Sequence, residues 1–350
     1  LAEETNGEKF VLTSSRSFCE WLAASRSSIA FTTYQAGKTF LLSIKEGRLS
    51  VVERTFARSM GLAVSEDGRT LALATEYQVQ RFDNVMASGQ VSPDGIDALY
   101  APHAAWVTGD LDAHDVAFGT AGRPLFVNTL FSCIATVSDG HSFKPVWKPA
   151  FVSRLAPEDR CHLNGFAVQD GKPRYATAVS RSDVADGWRD HRVGGGVVID
   201  VESQQIVVDG LSMPHSPRLY QGRLWLLNSG TGEFGFVDLE AGRFEPIAFC
   251  PGYARGLAFI CDHAVIGLSL ARDDRTFGGL PLDAALQQRG AEARCGLAIV
   301  DLKRGDMSSS VRIEGVVREL YDVAVIPKVS RPSFIGFKTE EVRYVISIDE

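Results

Sequence analysis

Three histidines spaced about fifty residues apart, His114, His162 and His215, are the side chains in this sequence best suited to chemistry. Neutral imidazoles are favoured ligands of zinc, iron and copper, and three of them leave positions open for water or substrate. The same ring titrates near neutrality, which suits metal-free acid–base catalysis. No H-x-H or H-E-x-x-H motif pairs any two of them locally. Either chemistry therefore requires a fold that brings distant segments together. The plainer alternative is that each imidazole only hydrogen-bonds across a wet interior.

Other residues join the histidines by chemistry or by position. Tyr321 is expected beside them as a catalytic phenol, and Asn164, Arg218, Arg255, Asn228, Glu233, Trp188, Arg189 and Arg272 as substrate contacts. Arginine forks recognise carboxylate or phosphate, so the expected partner is an anionic small molecule or peptide. The competing expectation is that the loop arginines pair with Asp183, Asp186, Asp190, Asp273 and Asp274. Asp115, Asp322 and Glu319 are the expected acceptors that would fix the imidazole tautomers around one divalent zinc, iron or copper ion. Ser59, Ser216, Ser229 and Cys161 are available as nucleophiles, but none sits in a G-x-S-x-G elbow. The run Gly194–Gly196 lacks the lysine and strand-to-helix setting of a phosphate loop, so no nucleotide cofactor is expected.

Positioning these residues falls to a repeat. The segments Gly61–Gly68, Asp115–Phe118, Gly165–Gly171, Ser216–Gly222 and Gly256–Phe259 each open a unit of short apolar strands separated by turn residues. A sixth opening strand, Asp322–Pro327, lies near the C-terminus, whereas the strands that should follow it, Ile29–Tyr34, Thr39–Arg48 and Leu49–Arg54, lie near the N-terminus. Joining them closes a ring and removes its open edges. The expected fold is all-β, a six-bladed β-propeller over residues 28–327, with an N-terminal extension (1–27) and a C-terminal tail (328–350) in a single domain. A β-sandwich or two small sheets would leave the split unit unexplained.

Opening strands of a propeller line its central channel, so Met60, His114, Asn164, His215, Arg255 and Tyr321 should form one ring. They are separated by 54, 50, 51, 40 and 66 residues. Strand alternation gives His162 the phase of Asn164 but sets it about 7 Å nearer the entrance. It would join the other two only if the turn at Cys161 curls inward. Two long insertions, Ser180–Gly196 and Leu270–Arg294, fall on the histidine end, and the stretch Leu282–Arg289 reads as a short helix. Loops of that length usually bind or cover something. The opposite end shows nothing comparable.

Composition narrows the function classes. The chain has 350 residues, a formal charge of -7 and no lysine or arginine run, which excludes a general nucleic-acid binder. No stretch approaches the roughly 20 apolar residues of a membrane helix, so no membrane partner is expected. The six cysteines show no paired spacing, and Leu1–Gly7 has neither a basic nor an apolar leader region. Both features fit a cytoplasmic location.

The segments Ala156–Gly165, Leu211–Arg218 and Leu226–Glu233, which carry the strings Cys161-His162-Leu163-Asn164-Gly165 and Ser212-Met213-Pro214-His215-Ser216-Pro217-Arg218, resemble a bacterial family of conserved hypothetical β-propeller proteins. That resemblance implies a fold and no activity. More distantly, the architecture is similar to the six-bladed gluconolactonases and strictosidine-synthase-like proteins. Lactonases of that group hold a divalent cation with carboxylate and amide side chains at the blade openings. Here Met60, His114, His215 and Arg255 stand at those openings, and only Asn164 keeps to the pattern. The expected function is an enzyme acting on a small anionic metabolite or modified peptide at the channel mouth, with or without a three-histidine metal. A non-catalytic propeller that recognises a peptide or protein is the alternative.

Overall fold

The computed structural model describes residues 10–271 and 278–348. Six sheets of at least four strands each, antiparallel within the four-stranded blade repeat, stand in a ring, a six-bladed β-propeller. In chain order the innermost strands of blades one to six are Leu62–Val64, Ala113–Phe118, Leu163–Gln169, Pro214–Tyr220, Tyr253–Ile260 and Val323–Ile326. The sixth blade is the split one: Val323–Ile326 pairs with Ser28–Thr33, which continues into Lys38–Lys45 and Arg48–Thr55. An apolar cluster fills each interface between neighbouring blades, such as Leu41, Leu73, Phe82 and Ile326 between blades six and one.

The segments flanking the repeat cover outer edges that would otherwise be open to other chains. Val11–Ser14 pairs antiparallel with the outer strand of blade five, Asp306–Glu314. The helix Arg16–Ser25 then buries Phe18 and Leu22 against blades five and six. At the other terminus Pro332–Phe334 lies parallel to the outer strand of blade one, Ala98–Val107. The Asp97 carboxylate fixes that junction by accepting the Ser330 and Arg331 amides, both at 2.8 Å.

The residue after each ring position explains how six inner strands fit around one axis. It is Gly61, Asp115, Gly165, Ser216, Gly256 and Asp322 in blades one to six. In blades one, three and five the glycine lies against the next blade. A Cβ on Gly165 would strike Pro217, and one on Gly256, whose φ is +76°, would strike the Val323 nitrogen. In blades two, four and six the side chain instead reaches forward and accepts an amide of the next inner strand. Asp115 takes Phe166 at 3.1 Å, Ser216 takes Gly256 at 3.1 Å and Asp322 takes Leu62 at 2.8 Å. Close packing and polar stapling therefore alternate, which gives the six-fold ring an underlying three-fold character.

Arg218 of blade four crosses the axis of that polar layer. Its guanidinium holds Asp115 of blade two through two bonds at 2.8 and 2.9 Å and stands 3.8 Å from Asp322 of blade six. Although burial works the other way, the two carboxylates keep Arg218 charged. Asp322 is pushed upward, first by burial and then by the charge of Asp115, with Arg218 opposing. The brace lies between the ring positions and the far ends of the inner strands, with one compartment on either side of it.

Candidate functional site: the histidine mouth

The upper compartment is built by a backbone feature common to four blades. Arg58, Asp112, His162 and Met213 have φ of 51°, 50°, 48° and 51°, and each stands two residues before a ring position. A left-handed conformation costs a non-glycine residue about 1–2 kcal/mol, so its recurrence marks a demand of the ring geometry. It turns the entering chain inward. For His162 it also cancels the strand alternation that set this side chain one step outward: its ring lies 4.8 Å from that of His114, edge to face. His215 stacks 6.4 Å from His114 on another side, and Tyr321 meets His114 at 5.4 Å. Arg255 lies 5.1 Å over the Tyr321 ring, and Asn164 contacts His215. All six side chains belong to residues that are buried.

Hydrogen bonds fix the tautomers. His114 Nδ1 faces the Asp112 carbonyl at 3.0 Å and the Thr129 hydroxyl at 2.9 Å. Thr129 already donates to the Leu163 carbonyl, so both neighbours accept and Nδ1 carries the proton. His162 Nδ1 meets the Asp159 carboxylate at 2.9 Å, which sets the same tautomer. Asn164 Oδ1 accepts from Thr177 at 2.8 Å, which turns its amide NH2 toward His215 Nε2 at 3.4 Å. Hence His114 and His162 keep a basic Nε2 lone pair, while that of His215 is engaged.

Electrostatics separate the three rings. Burial pushes His114 down to about 4, helped by His162 and Arg255 and opposed by Asp112. Burial, then Arg255 and His114, hold His215 well below its ordinary value. Burial would raise Asp159, yet the adjacent His162 holds it below the usual carboxylate range. Since the unfolded chain protonates His114 first, the stabilisation from keeping it neutral is complete above pH 6.5 and is lost as pH falls toward 4. That loss amounts to about 3 kcal/mol. Nitrogen-detected NMR should therefore find His114 and His215 neutral and untitrated from pH 8 to 5.5. A midpoint near 6.5 for either ring would contradict the burial argument.

The first insertion closes over this cluster. Trp188 stacks on His162 at 4.1 Å and donates its indole N–H to Asp159 at 2.8 Å, so one carboxylate organises both rings. Arg189 covers the outer face of Trp188 at 4.5 Å and pairs with Asp186. Arg160, adjacent to the histidine segment, anchors the insertion through Asp183 at 2.5 Å and is itself held by Glu158 at 2.7 Å. Trp188 also packs with Leu280, Leu282 and Leu286, the last two on the helix Pro281–Gln288 of the second insertion. The two insertions thus share a small core above the mouth. On the far side Tyr34 stacks on Tyr321 at 5.6 Å, with Arg58 over Tyr34 at 5.6 Å.

Several expected site residues lie elsewhere. Arg218 belongs to the axial brace rather than the mouth, because residues after the ring position run toward the opposite end. Asp115 and Asp322 are spent on that brace and on blade stapling, and Glu319 accepts the Gln35 amide at 2.8 Å. The imidazole acceptors are instead Asp159, the Asp112 carbonyl and Thr129. Asn228 caps the Ser212 amide at 2.8 Å, and Glu233 accepts from Thr231 at 2.7 Å, which gives both a turn-closing role. Arg272 lies outside the described residues. The serines offered as nucleophiles are bonded structurally, Ser216 to Gly256 and Ser229 to the Ala254 carbonyl, and burial pushes the Cys161 thiol up to about 12. The opposite end is not featureless: a cavity of about 670 Å³ opens there. Asp159 had a sequence signal in its D-x-x-H spacing to His162, whereas Thr129 had none.

Among the described residues no group of three or more His, Cys, Asp or Glu side chains is arranged to hold a metal ion, and no helix is long and apolar enough to cross a membrane. No curated protein is similar in sequence. Among solved structures, a chain of the nidogen/laminin complex matches with a TM-score of 0.54 at 11% identity, covering 87% of this chain and 99% of that one. At that identity the match speaks for the fold alone. Streptogramin B lyase matches at 0.40 and 12% identity, covering 69% and 72% of the two chains. An inactive virginiamycin B lyase from Staphylococcus aureus with quinupristin matches at 0.38 and 11%, covering 87% and 99%. Neither of these bears on function. The model of one family, described as a domain of unknown function (DUF4915), matches residues 16–335, and the chain belongs to that family.

Proposed function

We propose that the histidine mouth is the active site of an enzyme that moves protons at a small anionic metabolite or modified peptide. The 2.9 Å bond from His162 to Asp159 carries this reading. A carboxylate on Nδ1 orients the ring and stabilises the imidazolium that forms when Nε2 takes a proton, so His162 is the general base. His114, kept neutral, accepts a substrate hydrogen bond on its own Nε2. Tyr321 supplies the proton-donating phenol, and Arg255 over its ring supplies positive charge for the substrate anion. The Trp188 insertion excludes water and must open to admit substrate. Asp159→Asn keeps the shape but removes the charge that supports the imidazolium. It should slow turnover roughly 100-fold with little change in KM, and unchanged kcat would defeat the assignment.

A second reading is favoured by the same tautomers. Histidines whose Nδ1 is tied to an acceptor and whose Nε2 is free have the arrangement typical of metal ligands. His114 and His162 meet that description, whereas His215 offers its Nε2 to Asn164. Metal analysis of protein purified without added metal separates the readings. The acid–base reading expects full activity without stoichiometric transition metal. Equimolar zinc, iron or copper, lost together with activity in His114→Ala, would move the chemistry to a metal.

A further inference from the structure

The compartment below the brace is a second candidate site, independent of the histidine reading. Its cavity of about 670 Å³ falls within the roughly 300–1,000 Å³ range of small-molecule pockets. No ring residue lines it. The walls come from the far ends of the inner strands of all six blades, among them Val64, Phe118, Val168, Leu219, Phe259 and Val325, with Ser65, Thr70 and a few charged side chains between these apolar ones. Tyr220 stacked on Phe259 at 4.3 Å stiffens one wall.

The floor is Arg218, whose side chain is 22% exposed. Its Nη1 and Nη2 are bonded to Asp115 and to the Phe166 and Pro217 carbonyls, but its Nε–H donates to no group among the described residues. A guanidinium with a spare donor usually suggests an anionic ligand. Here its charge is already met by Asp115 and approached by Asp322, and Glu66 and Asp170 stand among the lining residues. Arg81, the other lining cation, is paired with Asp83. An anion would have to be desolvated among these carboxylates, and a cation would meet guanidinium N–H groups at the floor. Both penalties grow in a partly enclosed, low-dielectric pocket.

We propose that this second mouth is a binding pocket for a neutral, largely apolar small molecule that presents one hydrogen-bond acceptor to Arg218. Apolar burial supplies the affinity, and the guanidinium N–H left unbonded within the protein orients the ligand. The pocket is lined only by residues beyond the ring positions, so the ligand enters and leaves from the end opposite the histidines.

Nile red, an uncharged apolar fluorophore with carbonyl acceptors, tests this on the full chain by fluorescence titration. The expected result is saturable one-to-one binding that weakens at least tenfold in Ala117→Trp and in Ala258→Trp, whose new rings would fill the cavity. In His162→Ala, at the other mouth, binding should stay within twofold. Methyl octanoate should displace the dye at concentrations at least tenfold below those needed for octanoate or octylamine. Circular dichroism checks each variant's fold, and either tryptophan variant alone suffices. The proposal is overturned by an absence of saturable binding, by binding that survives in the folded tryptophan variants, by its loss in His162→Ala, or by equal displacement with a charged competitor.

Discussion

Replacing Asp115 with alanine is expected to lower the free energy of unfolding by about 3–5 kcal/mol, measured by urea denaturation. The side chain accepts the Phe166 amide of the next blade and two bonds from Arg218. Its loss strands a mostly buried guanidinium between blades, with Asp322 too far at 3.8 Å to replace a bidentate partner. The penalty comes mostly from the uncompensated charge rather than from the bond itself. Two further variants separate these contributions. Asp115→Asn retains an acceptor for Phe166 and should recover only part of the loss. Asp115→Leu combined with Arg218→Met removes both charges and should regain much more, giving a double-mutant coupling of at least about 2 kcal/mol. Additive effects would mean that the brace is not a coupled unit.

Turnover in His162→Ala is expected to fall by about 10²–10⁴-fold, the usual range for removing a general base. The loss should appear in kcat, because the base acts as the proton moves, whereas Arg255→Met should raise KM by weakening the hold on the anion. Circular dichroism of the variant separates a loss of folding from a loss of the base. His162 makes one side-chain hydrogen bond, to Asp159, and alanine keeps the Cβ and hence the same left-handed backbone cost, so the loss is that of one bond and the packing on Trp188. A loss confined to KM would make His162 a binding residue instead.

The ring itself was legible because each blade repeats the same apolar alternation and the sixth unit is split between the termini. The same alternation correctly grouped His114, Asn164 and His215. It failed at two kinds of position. His162 sits in a left-handed turn, where the two-residue period no longer tells where a side chain points. Arg218 follows a bulge, with the register shifting between His215 and Arg218 and Ser216 at φ 52°, and it extends away from the mouth with which its neighbours in sequence associated it. Asp159 lies on a turn that has no period at all. The lower cavity leaves no motif, since it arises from the space that six converging apolar strands leave around one axis. Both long insertions were readable as covers of the histidine end, but their joint core with Trp188 depends on spatial contacts between segments about 95 residues apart.

Proton NMR in D₂O decides whether His162 on its carboxylate partner is a base acting on an anionic substrate. Wild-type protein and His162→Ala would each be incubated with a panel of small carboxylates and carboxylated peptides, and hydrogen–deuterium exchange at carbon and product formation followed together. At least one compound is expected that wild type converts or exchanges and that the folded His162→Ala variant processes at least 100-fold more slowly. Equal rates for the two proteins would contradict it. So would a panel compound that binds the mouth and protects the Trp188 insertion from proteolysis while undergoing no exchange or conversion, because the mouth would then be a recognition surface.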